Sequence, residues 1–156
     1  MSIPQLNLNS SHIIIFNEKD QALLLRRSPK DEWMANKLSM PGGRRKESES
    51  LMQNIVRETF EETGLMIFPK FIRYLPAISQ KLNHIFFTTS KYTGNIKLDH
   101  ENSEFMWRSV EEIDEIDSVP HLKDEIQAAK SVFSAKIKIK INGNIKLTKY
   151  HIENGL

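Results

Sequence analysis

Apolar positions along this chain recur with two different periods. His12–Phe16 and Gln21–Arg26 are aliphatic-rich runs separated by the polar Asn17-Glu18-Lys19-Asp20, a strand–turn–strand pattern. Ser28–Lys37 is a polar loop containing Pro29 and Trp33, and Leu38–Met40 reads as a short strand that enters Pro41-Gly42-Gly43. From Leu51 to Thr63 the period lengthens. At about 100° per residue, Leu51, Met52, Ile55, Val56, Thr59 and Phe60 fall on one broad helical face. Ser50 followed by Gln53 is a capping-box signature, and Gly64 stands where a left-handed C-terminal cap belongs. Ile67–Tyr74 and His84–Ser90 predict strands, Asn95–Leu98 and Phe105–Arg108 two more. Val110–Ile113 predicts a helical turn and His121–Phe133 a second full helix. The tail KIKIKINGNIKLTK alternates Ile and Lys, which predicts a half-buried hairpin. A three-residue loop, Asn142-Gly143-Asn144, sets Ile141 against Ile145 and Ile139 against Leu147 and keeps the apolar face intact.

Interleaved strands and helices predict a mixed α/β domain. The 156 residues suit one domain, residues 1–134, with residues 135–156 as its C-terminal β-hairpin extension. There is no cysteine, which excludes disulfides, thiolate catalysis and cysteine-ligated metals. That absence, and an N-terminus without a basic start or long apolar stretch, lead us to expect a cytoplasmic protein with no membrane segment. The net charge of +2 is uneven: residues from Ser134 onward carry +4 and the rest −2. Those lysines suit the solvated face of the hairpin, and nucleic acid is not an expected partner.

The body's acidity is concentrated at RETFEETG, where Glu58, Glu61 and Glu62 gather on one side of the helix. Such clusters are often just solvated faces. This one, however, holds a like-charged i,i+4 pair and lies near the unfavourable end of the helix dipole. A hard divalent cation among the carboxylates removes both costs, and Mg²⁺ favours oxygen ligands. Gly42-Gly43, just upstream, lets backbone approach a phosphate or offer a carbonyl to a metal.

From Gly43 the chain reads G-RRKES-E-SLMQNIV-RE-T-F-EE-T-G-L, which resembles the Nudix box at all seven fixed positions: Gly43, Glu49, Arg57, Glu58, Glu61, Glu62 and Gly64. Thr59 occupies a position that is usually apolar. The resemblance implies an α/β/α sandwich around a mixed sheet and hydrolysis of a nucleoside diphosphate linked to another group. It implies Glu58, Glu61 and Glu62 as ligands of Mg²⁺, with Mn²⁺ a substitute and the Gly42 carbonyl an extra ligand. Arg57 and Glu49 would orient the glutamates, and Gly64 would support the site. The catalytic base would be a box glutamate or a later acid, for which Glu104 is the first candidate and Glu101 the reserve. Arg26, Arg27 and Gly43 are candidate contacts for substrate phosphates. Trp33, Tyr74 and Phe86 are candidates for base stacking, although single aromatics more often serve packing.

The expected substrate is a small nucleotide, first a nucleoside triphosphate split to monophosphate and pyrophosphate. A nucleotide sugar or ADP-ribose is the second option, and a silent nucleotide-sensing domain the third. RNA hydrolysis with the lysine tail as backbone contact is a further alternative, and a hairpin paired between subunits would make a homodimer.

Overall fold

The computed structural model describes residues 6–142, with side chains up to Val132. Strand β1 (Ser10–Ile15) and strand β2 (Ala22–Arg27) form the first two elements, turning through Asn17–Asp20. Next come β3 (Leu38–Ser39), β4 (Gly42–Arg44) and helix α1 (Leu51–Thr63). Strands β5 (Met66–Ile67) and β6 (Arg73–Tyr74) flank a 3₁₀ turn at Pro69–Phe71. Helix α2 (Pro76–Leu82), β7 (Ile85–Thr89), β8 (Tyr92–Thr93) and β9 (Asn102–Arg108) follow. A 3₁₀ turn at Val110–Glu112 and helix α3 (Leu122–Asn142) complete the described chain.

The central sheet runs β4-β1-β7-β6, with β1 and β7 parallel and the other pairs antiparallel. An antiparallel β3-β2-β9 sheet and the β5-β8 ribbon adjoin it. The continuous aliphatic runs are explained by two cores, one on each side. Ile13, Ile15, Leu23 and Leu25 pack with Ile55 of α1, whereas Ile14, Ala22 and Leu24 pack with Ile78 of α2 and Leu122 and Ile126 of α3. Successive strand residues point to opposite faces, so strands covered on both faces become apolar throughout. This is the expected α/β/α sandwich around a mixed sheet.

Helix α1 begins and ends as its sequence predicts. Ser50 accepts from the Gln53 amide, Gln53 returns the bond to the Ser50 amide, and Gly64 closes the helix at φ 75°. Elsewhere the local signals and the fold differ. Ile67–Tyr74 breaks at Pro69, which fixes φ and has no amide hydrogen to donate to a ladder, and its halves join different sheets. Asn95–Leu98 forms no strand: Lys97 donates to the Thr63 carbonyl, while Ile96 and Leu98 pack on the α1-side core. Residues 136–141, predicted as the first strand of the terminal hairpin, continue α3 as far as Asn142. Once a helix is nucleated, each further residue adds a hydrogen bond without a new nucleus, and lysine is a good helix former. The rest of that hairpin, residues 143–156, lies outside the described residues. Among the described residues no helix is long and apolar enough to cross a membrane.

Candidate active site

Helix α1 presents its three glutamates beside β4. Arg57 sits at the hub of the cluster. Its Nε and Nη2 form a two-pronged pair with the Glu49 carboxylate, Nη1 donates to Glu58 at 3.0 Å and to Glu61 at 2.9 Å, and Nη2 also donates to the Arg44 carbonyl. The planar guanidinium can hold all these acceptors at once because its donors form a rigid fork. These bonds raise the Arg57 pKa and lower that of Glu49.

The glycines of β4 have a steric reason. A Cβ on Gly43 would stand 2.5 Å from the Glu58 carboxyl carbon, and one on Gly42 would stand 2.4 Å from the Ser11 carbonyl oxygen. The bare backbone therefore lets Glu58 lie against β4. On the same strand the Gly42 amide leans towards Glu62 at 3.4 Å.

The three carboxylates are not equivalent. Glu61 is half exposed, whereas Glu62 is only 5% exposed. Burial pushes Glu62 up to about 9, with the charges of Glu58 and Glu101 adding to the effect and the Gly42 amide opposing it. Burial also raises Glu58 despite its bonds to Arg57. Among the described residues, no three acidic or imidazole side chains already converge as a metal cage. The donor set nevertheless fits a hard cation: it consists of oxygen atoms alone, and the mutual repulsion and burial that penalise ionised Glu58 and Glu62 are what a cation offsets.

Glu62 and Gly42 line a cavity of about 1120 Å³. Its wall includes Glu101, Asn102 and His100 from the approach to β9, and Ser28, Lys30, Asp31 and Trp33 from the loop after β2. It also includes an aromatic cluster in which the rings of His12, His84 and Phe86 lie 5.9–6.4 Å apart. Burial, with the neighbouring His84 and Arg27 adding, pushes His12 down to about 4, so its imidazole is neutral.

The remaining candidates separate. Arg27 lines the cavity, its guanidinium 4.9 Å from the Trp33 ring and paired with Asp31 at 2.6 Å. Arg26 points elsewhere, donating to Glu104 at 3.1 Å, to Asp117 at 3.1 Å and to the Asn36 carbonyl. The structure thus ties Glu104 to Arg26, 53% exposed and off the cavity wall, and it is the reserve acid Glu101 that faces the cavity. The reason is strand alternation: Arg26 and Glu104 are register partners on β2 and β9, on the opposite face from Arg27. Of the aromatics, Trp33 and Phe86 line the cavity, while Tyr74 packs on Phe87. His84 and His100 both line it as well.

Sequence reasoning passed over Glu125, which lines the cavity from α3 and is 7% exposed. A signal was available, because Glu125 lies within the apolar stripe Leu122, Ile126, Ala129 at helical spacing.

This fold, with an acidic helix beside a glycine-rich strand, is that of a family of hydrolases that act on pyrophosphate bonds and generally use divalent metal ions. The chain belongs to the NUDIX domain family, whose model matches residues 7–132. It is 27% identical over 114 residues to an uncharacterized Nudix hydrolase of Bacillus subtilis (strain 168), covering 68% of this chain and 69% of that protein. It is 29% identical over 79 residues to an 8-oxo-dGTP diphosphatase of Buchnera aphidicola, covering 50% of this chain and 61% of that one. The crystal structure of a MutT protein from Methanosarcina mazei Go1 is similar at a TM-score of 0.63 and 27% identity, covering 83% of this chain and 97% of that one.

Proposed function

We propose that this enzyme is a Mg²⁺-dependent nucleotide pyrophosphohydrolase that converts a nucleoside triphosphate to the monophosphate and pyrophosphate. The observation that carries this reading is a single cavity whose wall combines the buried carboxyl of Glu62 with a cluster of aromatic rings. One surface suits a metal-bound diphosphate and the other a base. Likeness to an 8-oxo-dGTP diphosphatase also supports a triphosphate substrate.

In this reading Glu58, Glu61 and Glu62, with the Gly42 carbonyl, hold the cation. When bound, the cation supplies neutralisation of the diphosphate oxygens and acidification of water. Arg57 fixes the directions of Glu58 and Glu61, and Glu49 fixes Arg57. Arg27 and Lys30, on the cavity wall, offer positive charge to the phosphate chain. The Glu101 carboxylate takes a proton from the attacking water. A new P–O bond forms, the bond from that phosphorus to the bridging oxygen breaks, and pyrophosphate departs. Arg26 and Glu104 brace β2 against β9 instead of touching substrate.

A nucleotide panel with Mg²⁺ and product identification tests the reading. Release of pyrophosphate and monophosphate that depends on divalent metal is expected. Inertness of the wild type towards every triphosphate tested, with release of a sugar phosphate from a nucleotide sugar, would overturn it.

A further inference from the structure

We propose that Glu125 is a specificity-determining residue whose carboxyl reads the hydrogen-bonding edge of the substrate's nucleobase, where an N–H lies beside an acceptor. This inference rests on the nucleotide reading above, and it uses a buried acid to which that reading assigns no work.

Leu122 and Ile126, which flank Glu125 on α3, are packed into the same apolar cluster as Met40 and Phe86. Met40 and Phe86 themselves line the cavity, as does Glu125. The carboxyl therefore enters the cavity on its apolar and aromatic side, from a different element than the Glu58–Glu62 group.

Among the described residues no basic side chain or hydrogen-bond donor acts on Glu125: burial pushes it up to about 8, and the charge of Asp124 adds to the effect. With no protein partner, the carboxyl opens on the cavity, and a largely buried carboxyl is costly to ionise there. On the same wall His12 Nδ1 is buried and has no hydrogen-bond partner. Ordinary core packing would favour leucine at position 125, so a ligand that satisfies the carboxyl is the natural reason for a glutamate.

The identity of that ligand follows from charge. A phosphate would be repelled by an ionised carboxyl. A neutral carboxyl instead offers one O–H donor and one acceptor about a hydrogen bond apart. The edge of a nucleobase offers the complementary pair, and its flat face suits the nearby His12, His84 and Phe86 rings. Apolar walls with a few convergent polar groups are the usual form of a site that fixes a ligand's orientation.

The test uses the full-length protein in wild-type, Glu125→Gln and Glu125→Leu forms. Nucleoside 5′-monophosphates are titrated calorimetrically without metal, and kcat and KM are measured for guanine, adenine, cytosine and uracil triphosphates with Mg²⁺. Glutamine keeps a donor and an acceptor, whereas leucine fills the space without either. The wild type should separate its best and worst bases by at least about tenfold in kcat/KM. Glu125→Leu should narrow that spread to about threefold, chiefly through KM, and weaken binding of the best monophosphate by about tenfold. Glu125→Gln should stay within about threefold of wild type on both measures. An unchanged spread in Glu125→Leu, equal losses in both variants, a wild type indifferent to the base, or a fall in kcat at constant KM would each overturn the proposal. If no triphosphate is hydrolysed, the function proposed above fails, and the calorimetric titration still decides the role of Glu125.

Discussion

Helices α1 and α3 each set a glutamate on a nearly closed surface, and they treat it differently. On α1, Glu62 has the Gly42 amide at 3.4 Å, and its neighbours Glu58 and Glu61 share Arg57, itself anchored by Glu49. On α3, Glu125 has apolar neighbours and only the like charge of Asp124 beside it. The first arrangement is a network of carboxylates braced by one guanidinium. The second is a single uncompensated group. The comparison teaches that burial alone does not define a functional acid. What the surrounding donors leave unsatisfied indicates what each site is meant to receive.

The strongest way to break the comparison is to remove charge from the α1 network. Glu61→Gln should lower kcat by about 10²–10⁴-fold in a metal-dependent hydrolysis assay. Because Glu61 is half exposed, the melting temperature should move little. Activity kept within twofold would mean that the α1 cluster is only a solvated face.

Arg57→Lys should cost about 10–100-fold in kcat, because an ammonium cannot keep the two-pronged bond to Glu49 while reaching Glu58 and Glu61. Raising the metal concentration should recover part of that loss if Arg57 acts by directing the carboxylates.

Glu125 is probed by stability against pH. Its folded pKa of about 8 lies above the ordinary glutamate value of 4.5, so the native state binds the proton more tightly than the unfolded chain does. Its contribution to stability is fully present below the unfolded pKa and is lost as pH rises through the folded one. The slope attributable to this group approaches about 1.4 kcal/mol per pH unit at most. Glu125→Leu should flatten denaturation midpoints across that window, and an unaltered slope would show that the carboxyl ionises freely in the fold.

The smallest effect should come from the frame of α1. Ser50→Ala removes the acceptor for the Gln53 amide and should cost about 1 kcal/mol, read as a lower melting temperature, with kcat nearly unchanged. A large loss of kcat would mean that the cap also positions the glutamates.

Helix α1 was legible to its last residue because its signals are local: a capping box, a helical apolar face and a glycine with positive φ all lie within the segment. The aliphatic runs of β1 and β2 were legible as strands, and the fold alone showed that each carries a core on both faces. Helix α2 was not. Its seven residues are too few for a clear period, and its markers, Pro76 at the start and left-handed Asn83 at the end, suit a loop equally well. Arg26 and Arg27 looked alike in sequence, and only the pleat of β2 sent one to Glu104 and the other to the cavity.

The order of residues along the chain determined the kind of chemistry available here: three carboxylates on one helix, the arginine among them, the glycines before them and the aliphatic strands. All of these are short-range facts, since spacing on a helix or strand decides which side chains are neighbours. The fold alone decided which acid joins that cluster, because Glu101, His12 and Glu125 come from segments far apart in sequence that meet only when both faces of the sheet are covered. Long-range proximity is paid for by burial of the whole core, and no window of sequence contains that balance.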